Sequence, residues 1–164
     1  MSTVPADERN AEQIAFWNGP GGRRWADQQE NVDLLLQPIA AAALARAAVR
    51  PGERVVDIGC GCGGTTIELG RSVGPAGRVL GVDVSTPMLA RARERLPTGL
   101  PIELVQADAT TYAFARGGFD LLFSRMGVMF FAEPARSFAN LRTALHPGAG
   151  SSSPAFARRG RTPG

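Results

Sequence analysis

In Asp57-Ile58-Gly59-Cys60-Gly61-Cys62-Gly63-Gly64 a carboxylate stands two residues ahead of alternating glycines, and two further acids, Asp83 and Asp108, follow later in the chain. This set suits the holding of a nucleotide-like molecule. Glycine permits positive φ and, lacking Cβ, lets a bulky ligand approach the backbone closely. Thr65-Thr66-Ile67-Glu68-Leu69, after the loop, has helical character, so its unpaired N–H groups point back at the same spot. Asp83 falls about twenty residues beyond the loop, the spacing at which an acidic side chain accepts hydrogen bonds from ribose hydroxyls. A metal site is not expected, because Cys60 and Cys62 have no second cysteine pair and the one histidine, His146, is far away in sequence. His146 sits in the turn after a helix, where a polar or positive residue is structurally expected, and no catalytic residue is assigned.

The loop alone leaves several readings open. Gly59, Gly61 and Gly64 also satisfy the dinucleotide fingerprint G-x-G-x-x-G, which would make the chain an NAD(P)-dependent oxidoreductase. A glycine-rich βα turn with no ligand is the plainest alternative.

Elements that position these residues can be read on either side. Residues 54–58 form a first strand, 78–83 a second, 102–106 a third and 119–123 a fourth. Helices alternate with them: one after the loop, one opened by Thr86-Pro87 and stopped by Pro97, and one over 133–145. This alternation predicts an α/β, Rossmann-like, mostly parallel sheet with helices on both faces. Ahead of the first strand, 18–22 reads as a turn cluster, and Pro38 as a first-turn residue of a helix over 39–49. Trp17, Trp25, Phe130 and Phe131 are expected in the core. Ser124 and Arg125 stand at the end of the fourth strand, where open parallel sheets bind ligands.

Composition narrows the partners. The net charge of +3 is supplied entirely by Arg158, Arg159 and Arg161, so a nucleic-acid partner is not expected. No stretch is long or apolar enough to span a bilayer, and the N-terminus carries no apolar signal region, which makes a cytoplasmic protein the default expectation.

Val56-Asp57-Ile58-Gly59-Cys60-Gly61 resembles the first motif of class I S-adenosylmethionine-dependent methyltransferases. With Phe16-Trp17-Asn18-Gly19-Pro20, Gly81-Val82-Asp83, Gln106-Ala107-Asp108-Ala109 and Phe119-Asp120 with Ser124-Arg125, the chain from Phe16 to Gly148 is similar to the ubiquinone and menaquinone biosynthesis type. Asp57 and the long segment ahead of the first strand favour this over the oxidoreductase. The resemblance implies S-adenosyl-L-methionine as cofactor, a small-molecule methyl acceptor, and transfer by in-line displacement with no general base required. It implies that Asp57, Gly59, Gly61 and Gly63 hold the methionine part, Asp83 with Val84 the ribose, and Asp108 with Ala109 the adenine, with Ser124 nearby. Asp108 also fits as a helix cap.

The chain then divides into an N-terminal helical segment over the pocket (1–50), a cofactor-binding core (51–148) and a tail (149–164). A strand is expected after His146-Pro147-Gly148, yet the tail is rich in Ser, Gly, Arg and Pro and reads as disordered. All 18 basic residues being arginine fits a G/C-rich gene, and another reading frame over 149–158 gives a strand-like Arg-Leu-Val-Phe-Ala-Cys-Leu-Arg-Pro. The expectation is a frameshifted tail, a sheet lacking its last strands, an exposed edge prone to self-association, and a product that binds cofactor with its catalysis in question.

Overall fold

Val55 and Val56 are adjacent in sequence and both fully buried, which requires cover on both faces of their strand. The computed structural model describes residues 6–147, 149–153 and 156–159 and supplies that cover. β1 (Arg54–Ile58) lies inside a sheet with β2 (Arg78–Asp83), β3 (Ile102–Gln106) and β4 (Leu121–Phe123), all parallel in the order β3-β2-β1-β4. The register sets Val55 beside Val79 and Leu121, and Val56 beside Leu80 and Leu122. Alternate residues therefore feed two cores. Val56, Ile58, Leu80, Val82 and Leu122 meet Leu141 of α6 (Pro134–Thr143) on one face. Val55, Val79, Leu121 and Phe123 meet Leu69 and Val73 of α4 (Gly64–Val73) on the other. The alternation of strand and helix thus yields the Rossmann-like α/β fold that the sequence implies.

α5 (Thr86–Arg95) follows β2; its cap is Ser85, whose hydroxyl accepts from Met88 N, one residue earlier than Thr86-Pro87 suggests. Ahead of the sheet run α1 (Ala6–Asn18), α2 (Pro20–Asp27) and α3 (Gln29–Ala47). Two expectations are corrected here. Pro38 lies within α3 instead of opening a new helix. Both it and Leu34, whose carbonyl it cannot pair, are exposed, so water can satisfy that group. Pro20-Gly21-Gly22 is not a turn but the first turn of α2, with Pro20 at its head. A Cβ on Gly22 would fall 1.8 Å from the Trp17 carbonyl oxygen, so glycine is required for α2 to fold back on α1.

Side chains tie α1 to the sheet. Asn18 donates to Val84 O at 2.9 Å and accepts from Thr86 N at 2.9 Å, and Ser85 Oγ donates to Trp17 O at 2.6 Å.

The parallel sheet has four strands, fewer than is usual for this fold, as the sequence implies. The backbone of Ala149–Ser153 and Phe156–Arg159 forms β5 and β6, an antiparallel pair. β6 pairs antiparallel with β4 at Leu121 and Leu122. The free N–H and C=O groups of a sheet edge recruit any extended backbone, whatever its side-chain propensity. The remaining tail positions that read as disordered lie outside the described residues.

Candidate functional site

A cavity opens at the carboxyl ends of β1 and β2, where an open parallel sheet places its ligands. Its floor is local backbone. Gly59 N donates to Val82 O at 2.8 Å, which turns the chain sharply after β1. Gly59 adopts φ +69, and a Cβ there would lie 2.6 Å from Gly127 Cα. Gly127 in turn opens a 3-10 turn, Gly127–Phe130, that follows β4. The two loops therefore touch backbone to backbone, and only glycine allows it. Ser124 locks the contact, its hydroxyl donating to Ile58 O at 2.8 Å and accepting from Val128 N at 3.3 Å.

Asp83, at the end of β2, is the polar centre of the site. Its Oδ2 accepts from Gly61 N and its Oδ1 from Ser85 N, each at 2.8 Å. Burial raises its pKa, opposed by hydrogen bonds from the backbone of Ser85, Gly61 and Val84. Asp108 accepts from Thr110 N at 2.9 Å and Thr110 Oγ1 at 2.7 Å on one oxygen, and from Asn10 Nδ2 at 2.6 Å on the other. It caps a turn rather than a helix. Asp33 is engaged by Gln29 at 2.7 Å and by Arg95 at 2.8 Å.

Of the residues that the sequence singles out, Gly59, Gly61, Asp83, Val84, Asp108 and Ala109 line this cavity. Asp57, Gly63 and Ser124 lie outside its lining. Asp57 is fully buried beneath the loop, where its Oδ2 accepts from Thr65 and Thr66 hydroxyls at 2.9 and 2.8 Å; its Oδ1 has no hydrogen-bond partner. Gly63 forms the left-handed N-cap of α4. The aromatic residues move the other way. Trp17, Trp25, Phe130 and Phe131 are not simply core but line the cavity, and Trp17 meets Trp25 and Phe130 edge to face at 5.6 and 5.3 Å. Their seats depend on how α1, α2 and the 3-10 turn pack, which periodicity does not specify. Gly127 and Asn10 were not marked by any motif; the glycine following a strand end was the one available signal.

Burial pushes the Asp57 carboxyl from 3.8 up to about 6, with the Thr66 and Thr65 hydroxyls and the Arg125 charge pulling the other way. The native chain then keeps a proton that the unfolded chain releases between those values. Stability is full below pH 3.8 and falls as pH rises through 6, by about 3 kcal/mol for this group. Urea unfolding of Asp57→Asn at pH 4.5 and 7 should show a smaller loss on raising pH than the parent chain shows. An unchanged pH slope would refute the assignment.

The thiols are no nucleophiles at neutral pH. Both are buried; burial carries Cys60 well above its ordinary value and Cys62 up to about 11. His146 is remote from the cavity, with its Nε2 3.4 Å from Asp120 and a hydrogen bond to Arg54. Among the described residues no three His, Cys, Asp or Glu side chains gather as a metal site, and no helix is long and apolar enough to cross a membrane.

Residues 55–148, more than half of the chain, match the family described as a methyltransferase domain, and the chain belongs to that family of S-adenosylmethionine-dependent enzymes. Of the two nucleotide readings of the glycine loop, this selects S-adenosylmethionine over NAD(P). Trans-aconitate 2-methyltransferase of Paracidovorax citrulli is 36% identical over 133 residues, 80% of this chain and 47% of that protein. Demethylmenaquinone methyltransferase of Staphylococcus aureus is 32% identical over 100 residues, 61% of this chain and 42% of that protein. Phosphoethanolamine N-methyltransferase 2 of Haemonchus contortus, solved with S-adenosyl-L-methionine, is similar in fold with a TM-score of 0.62 and 32% identity, covering 68% of this chain and 26% of that one. The chain thus spans less than half the length of these relatives.

Proposed function

We propose that this chain binds S-adenosylmethionine in the cavity above β1 and β2 and directs its methyl group to a small-molecule acceptor. The observation that carries the reading is Asp83: a carboxylate held by two backbone N–H groups, beside glycines that leave the backbone bare, with lone pairs left for ribose hydroxyls. The residues present fit the cofactor. Gly59 and Gly61 admit its methionine part close to the main chain, and the orphaned Asp57 Oδ1 puts negative charge beneath that loop. Asp108 offers a carboxylate to the adenine amino group, at a place that the Asn10 amide now engages.

When bound, the cofactor supplies a methyl group already activated by its sulfonium. The protein's part is placement and the exclusion of water. Trp17, Trp25 and Phe130 give the cavity an apolar wall suited to that work. No side chain is needed to move a proton in the transfer itself.

Calorimetric titration with S-adenosylhomocysteine, with NAD as the control ligand, tests the first half of the proposal. Saturable binding of the homocysteine compound alone supports it; binding of NAD in its place, or of neither by a folded chain, overturns it. Transfer of labelled methyl to a panel of small organic acceptors tests the second half, and binding without transfer to any of them reduces the function to cofactor binding.

A further inference from the structure

The charged side chains of the cavity do not balance one another. Asp33, Asp83 and Asp108 each have hydrogen-bond partners within the fold. Arg125 is the sole cationic side chain among the described lining residues, and no described residue forms a hydrogen bond or ion pair with its guanidinium. Its charge reaches the buried Asp57 only through space. A guanidinium on a partly buried residue of the same cavity lining as Trp17, Trp25 and Phe130, with no protein partner for its five donors, calls for a planar anion, because its fork matches a carboxylate in two parallel hydrogen bonds.

Its backbone is fixed as well. On one side Ser124 is bonded to Ile58 O, and on the other Gly127 lies against Gly59. Met126 between them takes φ +72, a conformation a side-chain-bearing residue holds only when its surroundings fix it. The arginine's backbone thus starts from a fixed point on the cavity lining, and the ordering left to the moment of binding is that of its side chain.

We propose that Arg125 is a specificity-determining residue that selects acceptors carrying a carboxylate on a planar apolar body, the body resting against Trp17, Trp25 and Phe130. The proposal rests on the methyltransferase reading above for the word acceptor, but not for the recognition itself. The cofactor has a carboxylate of its own, so the test must separate the two sources.

Trp17 and Trp25 line the cavity and report binding by their fluorescence. Benzoate, trans-cinnamate and indole-3-acetate, each paired with its amide, are titrated into the full chain with and without saturating S-adenosylhomocysteine. The same is done for Arg125→Met and Arg125→Lys, and the affinity of each for S-adenosylhomocysteine is measured separately. In the parent chain at least one acid should bind roughly tenfold or more tighter than its amide, the effect of a charge-assisted hydrogen bond. Arg125→Met should erase that preference and Arg125→Lys should restore part of it, with affinity for S-adenosylhomocysteine within about twofold of the parent. No preference for any acid in the parent chain overturns the proposal. So does a tenfold or larger loss of S-adenosylhomocysteine affinity in Arg125→Met with the acid preference intact, which would assign the arginine to the cofactor's carboxylate. A folded parent chain that ignores S-adenosylhomocysteine but prefers the acids refutes the cofactor reading and leaves the arginine's role standing.

Discussion

Asp83→Ala is expected to raise the dissociation constant for S-adenosylhomocysteine by roughly 100-fold or more. The carboxylate does two things at once. Toward the protein it receives Gly61 N and Ser85 N, both at 2.8 Å, and so sets the curvature of the glycine loop and the start of α5. Toward the cavity it is the acceptor for ribose hydroxyls under the proposed reading. Hydrogen bonds to a charged group are worth about 1.5–3 kcal/mol each, so loss of the ribose pair alone accounts for that factor. Asp83→Asn keeps one acceptor and should fall between the two. If Asp83→Ala remains folded and binds as the parent does, the ribose does not sit at this carboxylate.

Gly127→Val should be strongly damaging although it lies outside the strands. Its Cβ would lie 2.5 Å from Ile58 O and 2.8 Å from Gly59 Cα, atoms of backbone that cannot swing aside as a side chain would. One of the two loops must retreat. Overpacking of this kind costs about 1–3 kcal/mol, or roughly 3–10 °C in melting temperature for a chain of this size. Because the retreat reshapes the cavity floor, affinity for S-adenosylhomocysteine should fall by more than thermal destabilisation alone explains. A thermal melt with ligand titration below the transition separates the two effects. A variant with parent-like melting and binding would show that the loops tolerate separation.

The parts of this architecture visible in the chain are those governed by local rules. Val55-Val56, Val79-Leu80 and Leu121-Leu122 read as strands because both faces are buried, and Pro97 ends α5 by chemistry that needs no distant partner. Asp83 was legible because its distance from the glycine loop is a property of the βαβ unit itself. What failed to show depends on contacts between segments far apart. Gly22 looks like turn chemistry until Trp17 is found against it, Phe130 looks like core until it is seen on the cavity lining with Trp17 edge to face, and the burial of Asp57 beneath the loop shows only once Thr65 and Thr66 are found on its Oδ2. The tail illustrates the converse, since β6 pairs with β4 through backbone groups that composition does not register.

The placement of Cys60 and Cys62 inside the glycine loop gives the molecule a gauge of its own breathing. Both thiols are buried and held in the protonated form at neutral pH, but Cys62 borders the cavity whereas Cys60 lies outside its lining, so it is Cys60 that an alkylating reagent reaches only when the loop opens. When reclosing is fast, the labelling rate divided by that of a free thiol equals the fraction of time spent open. A ligand seated on the closed loop must slow labelling by the factor one plus its concentration over its dissociation constant. Affinity for any nucleotide can therefore be read from the unaltered chain through how long Cys60 survives.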